Sequence, residues 1–143
     1  VYLNTYQAFY WNFSQIFSIF IIALPNTLWI ANLMLANNTC DLEEDEKNKR
    51  FTLVHYLGRK RALVLFVSNN VLAFIAIFGA VLLDLAPYTV LLTCLVVPFV
   101  WKQTKLYLAK QIKKETFICA VRILAVGSFV QVITYALGIM IDF

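Results

Sequence analysis

Between Gln15 and Ala36 the chain reads QIFSIFIIALPNTLWIANLMLA, without one charged residue, and at Asn37 it changes to NNTCDLEEDEKNKR, where acids and bases crowd together. That junction decides the fold. A bilayer core about 30 Å thick needs on the order of 20 apolar residues in a helix, and the run from Gln15 supplies them. Pro25 inside it removes a backbone donor and predicts a kink. A second uncharged run extends from Ala62 to Leu83. A third, from Pro87 to Trp101 with a bend expected at Pro98, is short for a span and gains length by tilting or by extending to Leu108. The fourth, from Phe117 to Ile141, carries Arg122 one turn inside its start, where the side chain can snorkel to the interface. The expectation is an all-α polytopic transmembrane helix bundle of about four spans, with residues 1–143 forming a single transmembrane domain.

Composition agrees with that reading. The chain is 62% apolar and 14% charged, with mean hydropathy +0.76, whereas an ordinary soluble domain carries roughly 25% charged residues. A core of this size cannot hide so much apolar surface from water. The net charge of +4 does not point to nucleic acid, because the basic residues sit beside hydrophobic runs and form no nucleic-acid-binding motif. All twelve Lys and Arg fall between Lys47 and Arg61 or between Lys102 and Arg122. With four spans both blocks lie on one side, and the excess of positive charge makes that side cytoplasmic. The termini and the Asp84-Leu85-Ala86-Pro87 turn then lie on the other. Tyr2, Tyr6, Tyr10, Trp11, Trp101 and Tyr107 read as interfacial belt residues. A multi-pass protein of the cell (plasma) membrane is expected, with membrane lipid as its solvent. Cys40, Cys94 and Cys119 form no C-x-x-C pair and read as structural. The chain opens at Val1-Tyr2-Leu3 with no initiating Met, as though cut from something longer.

The chemistry concentrates in residues 37–61, a cytoplasmic aspartate-rich loop. Asn37, Asp41 and Asp45 are spaced i, i+4, i+8, so a helix continuing out of the membrane projects all three from one face. Asp41, Glu43, Glu44, Asp45 and Glu46 supply five of the chain's eight acids, and like charges at i, i+4 cost an isolated helix roughly 0.2–0.5 kcal/mol per pair. Magnesium is a natural counter-ion, since it prefers oxygen and is typically held by one or two carboxylates together with substrate phosphates. Lys47, Lys49 and Arg50 follow, suited to an anionic diphosphate. Spacing alone leaves a solvated charged loop equally open. His55 reads as an interfacial or packed histidine rather than a base. Asn69, Asn70 and Gln131 lie inside spans and read as helix-to-helix hydrogen bonds. The segment Lys102 to Lys114 reads as topological, with attraction to anionic lipid and a share in diphosphate capture as the lesser alternative.

Asn37-x-x-x-Asp41-x-x-x-Asp45, followed by Thr52-Leu53 and Leu57-Gly58-Arg59, resembles the second aspartate-rich motif of the UbiA superfamily of intramembrane prenyltransferases. The branch it is most similar to is that of the 1,4-dihydroxy-2-naphthoate polyprenyltransferases, with the pattern N-N-x-R-D-x-x-x-D-x-x-x-G-K-R-T-L-A-V-x-L-G. The register holds without a gap from Asn37 to Gly58. Cys40 stands at the pattern's first Arg, Lys49 and Arg50 at its Gly-Lys pair, and Phe51 at its second Arg. One span before the motif and three after it resemble the C-terminal part of that superfamily's nine-helix bundle.

The resemblance implies magnesium-dependent transfer of a polyprenyl group from polyprenyl diphosphate to an aromatic acceptor, 1,4-dihydroxy-2-naphthoate, in menaquinone or demethylmenaquinone synthesis. It implies Asp41 and Asp45 as catalytic metal (Mg2+) ligands, and Asn37, Lys49 and Arg50 on the diphosphate. The superfamily uses two acidic motifs and this sequence holds one, so the missing N-terminal half becomes a required partner and the fragment alone is expected to be inactive. Two alternatives stand beside this reading. One is a UbiA-type enzyme with another acceptor, 4-hydroxybenzoate or haem; the other is a non-catalytic membrane transporter or assembly fragment.

Overall fold

A computed structural model describes residues 13–141, with side chains from residue 15 onward. Tyr2, Tyr6, Tyr10 and Trp11 of the expected interfacial belt lie outside the described residues.

Six α-helices and one 3-10 segment follow one another: α1 (Phe13–Cys40), α2 (Leu42–Lys47), α3 (Leu53–Leu57), α4 (Arg59–Leu82), the 3-10 segment Tyr88–Val96, α5 (Val97–Ala109) and α6 (Phe117–Ile141). By length and composition α1, α4 and α6 can each cross a membrane. Their inward faces follow helical spacing. On α6 the buried positions are Cys119, Ala120, Ile123, Gly127, Gln131, Thr134 and Gly138, and on α4 they include Phe66, Asn69, Asn70, Ala73, Ile77 and Ala80. Small residues on such faces let backbones approach closely, which is how helices associate where lipid removes the hydrophobic drive between them. The outward faces stay apolar: Ile19, Phe20, Ile75, Leu95, Phe129 and Met140 are all exposed. A surface of that kind suits lipid and not water.

The third pass differs from the expected helix with a bend at Pro98. It is composite, a 3-10 segment of nine residues joined to an α-helix of thirteen. Pro98 bends nothing, because it stands in the first turn of α5, where its missing N–H would have no helical partner. At about 2.0 Å per residue in the 3-10 part and 1.5 Å in the α part, the two together reach about 38 Å, enough for a bilayer core. The composite runs antiparallel along α6. Thr89 donates to the Thr134 carbonyl at 2.7 Å, and the Thr93 and Thr134 hydroxyls lie 3.0 Å apart. At the far end the Ile112 N–H donates to Thr116 at 3.0 Å, closing the turn into α6.

Pro25 stands inside α1, and Gln131 of α6 donates to the Ile22 carbonyl at 3.0 Å, one turn ahead of that proline. Polar side chains tie the other helices together. Asn32 donates to the Phe66 carbonyl and to Asn70 Oδ1 at 2.9 and 3.1 Å, and accepts from Asn69 at 2.9 Å. Asn70 in turn donates to Thr104 at 3.1 Å. A ladder therefore crosses α1, α4 and α5. Asn69, Asn70 and Gln131 bind helix to helix as expected, while Asn32, the residue at the ladder's centre, escaped notice as one polar residue in an apolar run.

Candidate functional site

α1 runs past the expected end of its span to Cys40. Asp41 then takes φ −95° and ψ 5° and opens α2. Helical bonds are made on either side of this join, Asp41 N–H to the Asn37 carbonyl at 3.0 Å and Asp45 N–H to the Asp41 carbonyl at 2.8 Å. The acidic segment is a separate short helix, broken from α1 at Asp41, and not the uninterrupted helix on which Asn37, Asp41 and Asp45 were expected to share one face.

α2 ends in a Schellman motif: the Arg50 N–H bonds the Asp45 carbonyl at 2.8 Å and the Lys49 N–H bonds the Glu46 carbonyl at 3.1 Å. The motif places its penultimate residue in the left-handed region, and Lys49 has φ 56°. This is where the resembling pattern carries glycine, the residue that adopts that conformation without steric cost. Gly58 joins α3 to α4 at φ 76° and ψ 153°, a region closed to other L-residues. The backbone therefore demands glycine at Gly58 and favours it at position 49, where this chain places a lysine in the left-handed region.

The implied site residues divide into two groups. Lys113, from the loop between α5 and α6, donates to both Asn37 Oδ1 and Asp41 Oδ2, with its ammonium 5.2 Å from the Phe117 ring centroid. Asp45 is 6% exposed and pairs with Arg50 at 3.5 Å. Glu43 pairs with Arg59 at 3.5 Å, and His55 Nδ1 lies 2.8 Å from Glu46 while its ring tilts onto Phe51. Lys49 is exposed. Among the described residues no three His, Cys, Asp or Glu side chains gather as a metal cluster. The donor set nevertheless fits half of a magnesium site. Two oxygens, from Asn37 and Asp41, already converge on one cation, the Lys113 ammonium, and a metal held through one or two carboxylates completes its shell with phosphate oxygens and water.

Beside this point opens a cavity of about 500 Å³, lined by Glu43, Glu44 and Lys47 of α2, Arg59 of α4, and Gln111 and Lys113 of the second basic block. Cys40 also lines it, so where the family pattern carries Arg this chain has a thiol, and the positive charge beside Asp41 comes from Lys113. Arg59 keeps its Nε without a hydrogen-bond partner. The cavity brings the two basic blocks to one end of the bundle, which the charge pattern predicts. Reading Lys102 to Lys114 as topological, with diphosphate capture as the lesser alternative, did not anticipate the contact of Lys113 with Asn37 and Asp41. The same-side argument was the available signal, because two loops at one end of a short bundle can touch.

A bundle with three helices of membrane-spanning length and an acidic segment at one end defines a polytopic membrane protein. The chain belongs to the UbiA prenyltransferase family, which matches residues 6–125. It is also 32% identical over 78 residues to the 1,4-dihydroxy-2-naphthoate octaprenyltransferase of Bacillus subtilis (strain 168), an alignment covering 54% of this chain and 25% of that protein. The chain spans about a quarter of the length of that relative. No solved structure matches it.

Proposed function

We propose that this chain supplies the second acidic motif of a UbiA-type prenyltransferase that transfers a polyprenyl group from polyprenyl diphosphate to an aromatic acceptor, 1,4-dihydroxy-2-naphthoate. The observation that carries the reading is the convergence of Asn37 and Asp41 on a cation beside a polar, Arg- and Lys-lined cavity, in a chain of this family. The resemblance to a naphthoate octaprenyltransferase favours that acceptor over 4-hydroxybenzoate or haem. The clustering of all twelve basic residues in the two blocks supports a cytoplasmic site on the plasma membrane.

In this mechanism Asp41 would hold magnesium with Asn37 beside it, while Asp45, paired with Arg50, stands four residues further along the chain in α2. Magnesium supplies Lewis-acid stabilisation of the departing diphosphate. Arg59, Arg50, Lys47 and Lys49 offer donors to the same charge, an electrostatic contribution that grows as the allylic carbon–oxygen bond breaks. The exposed apolar faces of the helices give the isoprenoid tail access from lipid. The remaining metal ligands come from a second acidic motif outside this chain, so the chain alone is inactive.

The test is magnesium-dependent transfer of radiolabelled prenyl diphosphate to dihydroxynaphthoate, in membranes where this chain is joined or co-expressed with the N-terminal half of a family member. Transfer that disappears in Asp41→Ala and Asp45→Ala supports the assignment. Transfer indifferent to both substitutions removes the site, and silence with every acceptor returns the chain to the non-catalytic alternative.

A further inference from the structure

Lys113 reaches across from the α5–α6 loop to a position between Asn37 Oδ1 and Asp41 Oδ2, against the face of Phe117. Its partners are the two oxygens that the proposed function gives to the metal position. With the ammonium seated between them, a divalent cation approaching the same two oxygens meets a like charge and partly occupied lone pairs, so the two cations compete for the position. The same lysine also lines the polar cavity in which a diphosphate would have to lie.

We infer that Lys113 is the resident counter-ion of the metal position: it neutralises Asp41 while the site is metal-free, and moves to the diphosphate when a divalent cation takes its place. The inference rests on the proposed function for the identity of that position. An uncompensated carboxylate among Glu43, Glu44 and Asp45 would repel its neighbours, and the internal cation removes that repulsion without excluding metal, since ammonium is monovalent and partly exposed. Exchange also orders binding. Metal entry frees Lys113, and the freed ammonium adds one donor to the cavity, so metal and diphosphate bind with positive coupling.

Manganese serves as the probe, titrated into the full chain in detergent and followed by electron paramagnetic resonance, with and without inorganic diphosphate. In Lys113→Gln the competing charge is gone, and manganese alone binds roughly twofold to fivefold more tightly than in the native chain, the range a partly exposed ion pair supports. The coupling reverses in the second arm, where added diphosphate strengthens manganese binding less in Lys113→Gln than in the native chain. Lys113→Arg, which keeps the charge, follows the native chain in both arms. Amine labelling resolved by peptide mass gives a reading that needs no variant. Lys113 labels more slowly than Lys114 without metal, faster once manganese is added, and slowly again with manganese and diphosphate together. Equal or weaker manganese binding in Lys113→Gln, or labelling of Lys113 that matches Lys114 without metal, overturns the inference. Asp41→Asn separates the two readings: it abolishes manganese binding if the metal position is right, and binding that survives it sinks the proposed site whatever Lys113 does.

Discussion

Asp45 and Arg50 are joined twice, backbone to backbone through the Arg50 N–H and the Asp45 carbonyl at 2.8 Å, and side chain to side chain at 3.5 Å. The Schellman motif sets the second contact, because it returns the chain over the last turn of α2 and brings the guanidinium back to the acid. Asp45 is buried while the Arg50 side chain is 73% exposed, so water screens the pair. Arg50→Gln should therefore cost under about 1 kcal/mol of stability. Prenyl transfer in the assembled enzyme should fall at least about tenfold, since a donor to the leaving diphosphate is lost. Thermal unfolding in detergent beside the transfer assay checks both, and equal losses in the two would assign Arg50 to the fold alone.

Lys49 and Asp84 both hold positive φ, 56° and 53°, each at the end of a helix. Asp84 repeats the arrangement of Lys49, with the Leu85 N–H on the Ala80 carbonyl at 2.9 Å and the Asp84 N–H on the Val81 carbonyl at 3.1 Å. A left-handed conformation costs most L-residues roughly 1–2 kcal/mol, and glycine gives back about 0.5–1 kcal/mol as backbone entropy. Lys49→Gly should thus stabilise the chain by about 0.5–1 kcal/mol. Asp84→Gly should gain less, because aspartate tolerates this region better. Urea or thermal unfolding of the two variants ranks them, and Lys49→Val, β-branched at the same position, should be the least stable of the series.

The span pattern was legible because lipid imposes one plain demand, a long uncharged run, and α1, α4 and α6 meet it. The composite third pass was not, because a 3-10 geometry depends on how Thr89 and Thr93 meet Thr134 on α6, a contact about a third of the described chain away in sequence. At the site, helical spacing anticipated that Asn37 and Asp41 lie side by side, but not that the break at Asp41 leaves Asp45 paired with Arg50 instead. Lys113 was not legible, since its contact with Asp41 joins two loops that only the folded bundle brings to one end. Asn32 hid for the opposite reason: a single asparagine barely lowers the hydropathy of its run, although its side chain makes three hydrogen bonds.

Gly127 faces the Trp29 ring, and a Cβ built on it would lie 2.8 Å from the nearest ring carbon. Trp29 is wholly buried and stacks edge-on against Phe74 of α4 at 5.9 Å, so it cannot yield. Gly127→Ala should cost about 1–3 kcal/mol by overpacking the α1–α6 seam. Gly138→Ala should cost at least as much, because its Cβ would fall onto Pro87 and Thr89 at the start of the third pass. Gly79→Ala is the control. Nothing lies within 4 Å of its Cβ, and α4 should gain up to about 1 kcal/mol from the better helix former. Thermal unfolding of the three variants in one detergent checks the order.

Asn32 carries the polar ladder, donating to Phe66 and Asn70 and accepting from Asn69. Asn32→Leu keeps the volume close to native but strands the Asn69 amide and the Asn70 carbonyl in a setting without water. Interhelical bonds in membranes average about 0.6 kcal/mol each, because the separated helices find other partners. Three of them predict a loss of about 1–2 kcal/mol, which a packing role alone would not give. The double variant Asn32→Leu, Asn70→Leu decides between the two. Hydrogen bonding predicts a double loss smaller than the sum of the single losses, because the shared bond is removed only once. Independent packing predicts simple addition, and an additive cycle measured by unfolding would show that the ladder is geometry without energetic coupling.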